Sequence, residues 1–244
     1  MKKISYSQYS MWAQCPHRWK TAYIDDKREF KESIHTLFGT SMHEVIQAFL
    51  TVMYEDTAKA AEALPLKEML RIRMKRNYEQ AMIKNGGEEF CTQKDMVEFY
   101  EHGLLILEFI KKKRAQYFSK KGYELVGIEV PLEYDLPNGV KFIGYIDVVI
   151  RDTVRDVIKI YDIKTSTMGW NKWQKADKIK TDQLLLYKQF YSKQFNHPMD
   201  KIEVEYFIVK RKLYENLDFP QKRVQKFTPA NGTPSINQVT KRLS

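Results

Sequence analysis

The sequence predicts an α/β protein in which a mixed β-sheet is flanked by helices and follows an N-terminal helical lobe. Residues 142–164 alternate in the manner of two strands, whereas residues 39–121 place apolar side chains at helical spacing. A further helical segment at 181–195 precedes a further alternating segment at 202–210. The predicted order is therefore helix, three strands, helix and strand.

The length of 244 residues and the hydrophobic content of 43% are typical of one globular domain with an ordinary core. We expect a single domain over residues 1–244. Within it, the helical lobe covers about residues 39–121, the sheet core covers about residues 123–211, and residues 212–244 form a C-terminal tail.

Bulk properties exclude several classes of protein and favour a polyanionic partner. Two cysteines, Cys15 and Cys91, argue against a disulfide scaffold and suit a reducing compartment. The N-terminus has no apolar signal region, and no apolar run approaches 18 residues, so we expect a cytoplasmic protein without a membrane partner. The net charge of +10 favours nucleic acid ahead of an anionic membrane surface.

The first elements are predicted to be helical. Ser7 is positioned to cap a short helix, and Cys15 before Pro16 is expected to be a small buried residue. A stronger helix is predicted at 39–53, with Ser41 as N-cap and Glu44 as its capping-box partner. Its apolar stripe comprises Met42, Val45, Ile46, Phe49, Leu50 and Met53. This places His43 in the first helical turn, at the edge of the stripe.

Two more helices are predicted at 66–83 and 96–110, separated by Gly86 and Gly87. A basic run follows them, and it consists of Lys111, Lys112, Lys113 and Arg114. Two interpretations of this run remain open. It either lines a nucleic-acid channel or forms a solvated helix end where cations complement the helix dipole.

The predicted sheet begins at residues 123–135, with Glu129 near the centre of the strand and a turn at 137–139. A polar turn then joins the strands 142–150 and 158–164 into an antiparallel hairpin. If the pairing is centred between residues 154 and 155, Asp147 lies opposite Asp162. Lys164 shares the face of Asp162 because side chains alternate with a period of two.

Two close carboxylates on an apolar sheet repel each other, and a divalent cation such as Mg²⁺ or Mn²⁺ removes that conflict. The alternative is that Asp147 ends a strand while Asp162 and Lys164 form an ordinary ion pair. Glu129 is either an additional acid near the metal, or an edge-strand residue or the partner of a channel lysine. The second, purely structural interpretation of Glu129 is favoured.

Tryptophans and lysines alternate after the hairpin, at Trp170, Lys172, Trp173 and Lys175. This composition suits a nucleic-acid-binding loop, since lysines meet phosphates and an indole stacks on a base. The alternative is that one tryptophan anchors the loop, and we expect one to be buried and the other to lie near substrate. The following helix, 181–195, carries Gln183 and Tyr187 on one face because they are four residues apart.

The segments GYIDVV, YDIKTS and QLLLYK together resemble the PD-(D/E)XK nuclease superfamily, specifically its RecB-like branch. Members of that branch carry a histidine on an early helix, then an Asp, a D/E-x-K element and a Q-x-x-x-Y helix. This sequence supplies the elements in that order, as Gly39 with His43, Asp147, Asp162 with Lys164, and Gln183 with Tyr187. The N-terminal segment SYSQYSMWAQCPHRWK is also similar, and the resemblance covers residues 4 to about 210.

The resemblance implies a restriction-endonuclease-like fold and a metal-dependent DNA exonuclease. It implies that Mg²⁺ or Mn²⁺ is held by Asp147 and Asp162, with His43 and the Ile163 carbonyl as further ligands. Lys164 would orient the attacking water, and Gln183 and Tyr187 would hold the phosphate and the lysine.

The expected context is DNA replication, recombination or repair in a bacterial or phage-infected cell. The substrate would be single-stranded DNA or duplex ends, with a helicase or recombinase as partner. No cysteine follows Cys91, so the iron–sulfur cluster of some RecB-like nucleases is not expected. A catalytically silent DNA-binding subunit, an endonuclease and an RNA-processing nuclease remain alternatives.

Overall fold

The computed structural model describes residues 2–27, 31–137, 139–215 and 218–243. The strands are β1 (Lys3–Ser5), β2 (Tyr123–Asp135), β3 (Lys141–Asp152), β4 (Val157–Ser166), β5 (Ile202–Lys210) and β6 (Val224–Phe227). The α-helices are α1 (Tyr6–Gln14), α2 (Pro16–Tyr23), α3 (Ile34–Glu55), α4 (Ala58–Ala63), α5 (Leu66–Lys84), α6 (Gln93–Lys112), α7 (Arg114–Tyr117), α8 (Lys172–Ala176), α9 (Lys178–Gln194) and α10 (Thr233–Leu243).

The six strands form one mixed sheet, as the sequence predicts, in the order β1-β3-β4-β5-β6 with β2 also paired to β3. The β3 pairs with β2 and β4 are antiparallel, whereas β1–β3 and β4–β5 are parallel. Since β2 follows one edge of β3 throughout, β1 and β4 share its other edge. They pair there with residues 141–143 and 148–152, and residues 144–147 lie between them.

Each face of the sheet carries its own hydrophobic core. Helices α3, α5 and α6 cover one face, where Leu50 and Leu107 pack with Ile163 of β4. Helices α9 and α10 cover the other, where Leu184 and Val239 pack with the same strand and its neighbours. The site elements β3 and β4 are therefore held between α3 on one side and α9 on the other.

Helix α3 begins earlier than the sequence predicts. Its N-cap is Ser33, whose hydroxyl accepts the Thr36 N–H at 3.2 Å, and the predicted capping box at Ser41 and Glu44 is wrong. Ser41 is buried inside the helix and donates to the Leu37 carbonyl at 2.9 Å, while Glu44 pairs with a cation of α5. The helix extends because Leu37 and Phe38 are already buried in the core.

Several other predicted elements are confirmed, including the helices α5 and α6, the long strand β2 and the strand β5 at residues 202–210. The C-terminal segment differs from the predicted tail at 212–244. Strand β6 extends the sheet beside β5, and α10 buries Ile236, Val239 and Leu243 in the core. The predicted turn at 137–139 includes one residue, Asn138, that lies outside the described residues.

The N-terminal predictions need two corrections. Ser5, and not Ser7, caps α1 by accepting the Gln8 N–H at 3.4 Å. Cys15 is exposed and not buried, and its sulfur accepts the Arg18 N–H at the start of α2. Among the described helices, none is long and apolar enough to cross a membrane.

Candidate active site

Asp147 lies where β3 separates from β4. The paired residues of the two strands end at Val148 and Tyr161. Asp147 and Asp162 are the next residue of each strand, and they are neighbours, since the charge of Asp162 acts on Asp147. Beyond that point Asp147 Oδ2 accepts the Ile163 N–H at 2.6 Å, so a side chain replaces the strand partner. The alternation of β3 also changes here, since Ile146 packs in the α9 core and Val148 packs in the α3 core.

The environment of Asp147 opposes its ionisation. Burial first, and then the negative charge of Asp162, raise the pKa of the Asp147 carboxyl well above its ordinary value. His43 Nδ1 lies 3.6 Å from Asp147 Oδ2, but burial lowers the pKa of His43 to about 4. The imidazole is therefore neutral at pH 7, and this contact is not an ion pair. A neutral imidazole is the form that binds a metal.

Asp162 is buried, with 1% of its surface exposed, and Lys164 Nζ lies 2.7 Å from its Oδ2 atom. This close ion pair with Lys164 is the one contact found for Oδ2 within the described chain. Burial pulls the pKa of Lys164 down, but the charges of Asp162 and Asp147 raise it above its ordinary value. The lysine is therefore an ammonium ion beside two carboxyl groups.

Helix α9 completes the polar chain on the opposite side of Lys164. Lys164 Nζ donates to Gln183 Oε1 at 3.0 Å, and Gln183 Nε2 donates to Tyr187 Oη at 3.0 Å. The two α9 residues therefore share one face, as predicted. Gly144 of β3 allows this approach, because a Cβ atom there would lie 3.1 Å from the Tyr187 ring. Burial and then the charge of Asp162 raise the pKa of Tyr187, so its hydroxyl stays protonated.

Glu129 lies on the outer strand β2, opposite Asp147 in the register that joins Ile128 to Val148. Its φ of 49° is in the left-handed region, a conformation that is uncommon for a side chain of this type. Gln47 of α3 donates to Glu129 Oε1 at 2.6 Å and to the Asp147 carbonyl at 3.3 Å. Glu129 contributes to the raised pKa of Asp147, and its partner is an amide and not a lysine. Its role as an additional acid stays a prediction.

The donor set at this place suits a hard divalent cation. A cation here would bind the carboxylate of Asp162, the neighbouring carboxyl of Asp147 and the neutral imidazole of His43. In the described part of the chain, no three His, Cys, Asp or Glu side chains already enclose a metal position. Mg²⁺ accepts this, since it commonly takes one or two carboxylates and retains several waters.

The predicted nucleic-acid-binding residues fall into two groups. Lys111, Lys112 and Lys113 end α6, and Arg114 pairs with Glu62 of α4 at 3.0 Å. At the second group, Trp170 packs on Tyr206 with ring centroids 4.8 Å apart, whereas Trp173 is 72% exposed. Lys172 lies over the Trp173 ring at 4.8 Å, and Lys175 lies over Phe227 at 5.7 Å. The anchored tryptophan is therefore Trp170, and Trp173 is free to meet a ligand.

The sequence analysis misses two residues near the site, Gln47 and Tyr6, and it misses the contact that Gly39 makes with β4. Gln47 was detectable in principle, because it lies one helical turn after His43 on the same face. Tyr6 of α1 donates to the Ile179 carbonyl of α9, and burial and the charges of Asp182 and Asp162 raise its pKa. Gly39 lies so close to β4 that a Cβ atom would be 3.2 Å from Thr165 Oγ1. Only the tertiary fold reveals the last two contacts.

A mixed sheet with β3 and β4 held between α3 and α9 is the restriction-endonuclease-like fold, which defines the structural class of this protein. The sequence model of the PD-(D/E)XK nuclease superfamily matches residues 3–240, and the chain belongs to that superfamily.

The fold is shared with solved structures at low sequence identity. A crystal structure named "Putative exonuclease" from Eubacterium rectale aligns with a TM-score of 0.55 and 15% identity, covering 99% of this chain and 79% of the other. A structure of the protein SSO0001 aligns over 88% of this chain and 75% of its own, but its TM-score of 0.31 and identity of 12% carry no argument. No curated protein matches the sequence.

Proposed function

We propose that this nuclease is a divalent-metal-dependent deoxyribonuclease of the RecB-like branch, acting as an exonuclease in DNA replication, recombination or repair. The observation that carries the proposal is the buried group formed by Asp147, Asp162 and Lys164 at the separation of β3 and β4. Two buried carboxyl groups that repel each other, with one lysine beside them, destabilise an apolar sheet unless they serve chemistry.

Asp147 and Asp162 would hold Mg²⁺ or Mn²⁺, with His43 and the Ile163 carbonyl as further ligands. The Ile163 N–H donates to Asp147 Oδ2 at 2.6 Å, which supports a place for the Ile163 backbone beside the cation. When bound, the cation would polarise the phosphoryl oxygen and lower the pKa of a coordinated water.

Lys164 contributes a fixed positive charge in this mechanism. Since its pKa is raised, it is a hydrogen-bond donor at neutral pH and not a proton acceptor in the metal-free protein. It would orient the attacking water and stabilise the negative charge that develops on the phosphate. Gln183 holds the ammonium group at 3.0 Å, and Tyr187 in turn orients Gln183.

DNA as substrate is supported by the superfamily and by the net charge of +10. Exonuclease action rests on the RecB-like motifs and on the name of the Eubacterium rectale neighbour, and both are indirect support. A helicase or recombinase partner and a cytoplasmic location stay predictions from the resemblance.

The experiment is digestion of end-labelled linear single- and double-stranded DNA, with a covalently closed circle and a labelled RNA alongside. Each substrate is incubated with Mg²⁺, with Mn²⁺ and with EDTA. We expect metal-dependent loss of linear DNA alone. Cutting of the circle would make the protein an endonuclease, preferential loss of RNA would change the substrate, and binding without cleavage would leave a DNA-binding subunit.

A further inference from the structure

A polar cavity of ≈ 150 Å³ lies beside the carboxyl ends of the parallel strands β4 and β5. Its lining includes His35, Phe99, Thr165, Ser166, Thr167 and Arg211. The proposed chemistry uses none of these residues. Carboxyl ends of adjacent parallel strands are a common place for ligands in α/β sheets.

The cavity and the candidate active site lie along one line between α3 and β4. His43 lies 3.6 Å from Asp147, Gly39 lies against Thr165, and His35 lines the cavity. These α3 residues are spaced by four, and each turn of an α-helix advances about 5.4 Å. The cavity is therefore roughly 12 Å from His43, measured along the helix. A strand of nucleic acid at the active site reaches it within a few nucleotides.

Arg211 is the principal charged group of the cavity, and it is 8% exposed. Its Nη1 donates to Glu98 at 2.9 Å and to His102 Nδ1 at 3.2 Å, and its guanidinium lies 4.0 Å from the centre of the Phe99 ring. Among the described residues, its Nε and Nη2 atoms form no hydrogen bond. Arg211 is thus held in one orientation while part of its donor fork is unused.

The charge around Arg211 is positive. Lys212 shares Glu98 with Arg211, at 3.0 Å, and Arg223 donates to the Arg211 carbonyl at 3.0 Å. Burial and then the charge of Arg211 lower the pKa of His102, so this histidine adds no positive charge at neutral pH but accepts from Arg211. One carboxylate therefore faces several cations, which suits an anionic ligand.

We infer that this cavity is a subsite for one backbone phosphate of the bound strand, other than the phosphate that is cleaved. Arg211 supplies charge-assisted hydrogen bonds, and the hydroxyl groups of Thr165 and Thr167 supply neutral ones. The inference rests on the proposed nuclease function and adds a second fixed point for the substrate. A strand held at Arg211 has its scissile phosphate in a set register with Lys164.

The first test is a phosphate-neutralisation scan with the unmodified protein. Fluorescence anisotropy in EDTA gives the affinity for a single-stranded DNA oligonucleotide and for a series in which one phosphate at a time is an uncharged methylphosphonate. The subsite predicts that one position away from the cleavage point weakens binding about tenfold, the loss expected for charge-assisted hydrogen bonds. A scan in which no single position away from the cleavage point matters would overturn the inference.

The second test assigns that position to Arg211. In Arg211→Gln we expect about tenfold weaker binding, no further loss from the sensitive methylphosphonate, and a salt-dependence slope smaller by about 1. Arg151→Gln is the matched control, because Arg151 is an exposed arginine that pairs with Asp156 at the hairpin turn. This variant should leave the affinity, the response to the methylphosphonate and the salt-dependence slope unchanged. Thr165→Val keeps the side-chain shape and should reproduce part of the loss.

The outcomes separate this inference from the proposed function. If the protein cleaves DNA with metal but Arg211→Gln and Thr165→Val leave the affinity unchanged, the nuclease function stands and the subsite is rejected. Arg211 would then have only a structural role, linking α6 to the end of β5. If Arg211→Gln does not fold, the scan on the unmodified protein and on Thr165→Val decides. Absence of any DNA binding by the unmodified protein would contradict both proposals.

Discussion

Asp147 and Asp162 place two carboxyl groups in a buried position where neither has a full set of partners. The Ile163 N–H binds Asp147, and Lys164 offsets part of the charge of Asp162, but one Asp162 oxygen has no hydrogen bond in the described chain. Such an arrangement costs stability in the metal-free protein, and proteins retain it at functional sites.

This cost predicts that Asp147→Asn stabilises the metal-free protein at pH 7. The asparagine oxygen still accepts the Ile163 N–H, while the repulsion with Asp162 is removed. We expect a gain of about 1 kcal/mol in the free energy of unfolding, measured as a rise in Tm of roughly 2–4 °C. Because the folded-state pKa of Asp147 is raised, the advantage is present at neutral pH and disappears as acidification protonates the wild-type carboxyl.

Asp152→Asn is the matched control for the sign of that effect. Asp152 is also a buried carboxylate of β3, but a hydrogen bond from Arg155 lowers its pKa to about 2. Removing its charge should therefore lower the Tm at pH 7. If Asp147→Asn lowers the Tm as Asp152→Asn does, the two carboxyl groups of the site do not oppose each other.

At the residue scale, the register of one hairpin was enough to predict from the sequence that Asp147 and Asp162 are neighbours. The alternation of residues 142–164 was sufficient to place Asp147 beside Asp162, because a short turn fixes the register of the two strands. The position of His43 within its helix was wrong, since the apparent capping box at Ser41 competed with the burial of Leu37 and Phe38. Gln47 shares the helical face of His43 and could have been found from that spacing, whereas Tyr6 contacts α9 from the distant helix α1, which no local pattern encodes.

At the scale of elements, helix α8 and the loop before it carry one tryptophan that packs against the sheet and one that is exposed. Trp170 packs on Tyr206, whereas Trp173 extends into solvent beside Lys172. We predict that Trp173→Ala weakens binding of single-stranded DNA about tenfold without changing the Tm, because base stacking contributes about 1–3 kcal/mol. Anisotropy titration and thermal melting measure the two effects.

Trp170→Ala is the companion variant, and it should lower the Tm because it removes an indole that packs on two aromatic rings. Equal affinities of Trp173→Ala and wild type for DNA would show that the exposed indole has no part in binding. The sequence predicted one anchored and one exposed tryptophan but not which was which. That distinction depends on Tyr206 and Phe227, which belong to later strands.

Helix α10 stabilises α9, the helix that carries Gln183 and Tyr187. Arg242 of α10 binds both oxygens of Asp182, at 2.7 and 2.6 Å, and Tyr9 of α1 donates to the same carboxylate at 2.9 Å. We predict that Arg242→Met lowers the free energy of unfolding by about 2 kcal/mol, below the usual loss for a buried pair because Arg242 is 38% exposed. Chemical denaturation measures the change.

The double variant Arg242→Met with Asp182→Asn should recover part of that stability, since no buried carboxylate is then left without its cation. Additive losses in the double variant would show that the two residues are not coupled. The sequence suggested a tail because residues 228–235 are linker-like, although it left open a helix over the last eight residues. Its contribution to the core is set by contacts with α9 that arise only in the folded chain.

At the scale of the whole molecule, the fold class was predictable because the long strands of the sheet and the helices packed on it have strong hydrophobic periodicity. The terminal strands β1 and β6 were missed, since they span only Lys3–Ser5 and Val224–Phe227 and are too short for an alternating pattern. They matter for the site nonetheless, because β1 occupies the edge of β3 next to residues 144–147. The net charge of +10 predicted an anionic ligand, but only the fold gathers cations such as Arg211 and Lys212 around one cavity.

The proposed function requires that the group formed by Asp147, Asp162 and Lys164 hydrolyses DNA with a divalent cation. The most direct measurement is the single-turnover cleavage rate of linear DNA in Mg²⁺ for wild type, Lys164→Met and Lys159→Met, with EDTA as the metal-free condition. Lys159 is the matched control, because it is a lysine of the same strand that pairs with Glu203 at 3.3 Å. We predict that EDTA abolishes cleavage, that Lys164→Met lowers the rate about 100-fold or more, and that Lys159→Met retains it. Cleavage by Lys164→Met at the wild-type rate, or by wild type in EDTA, would contradict the account.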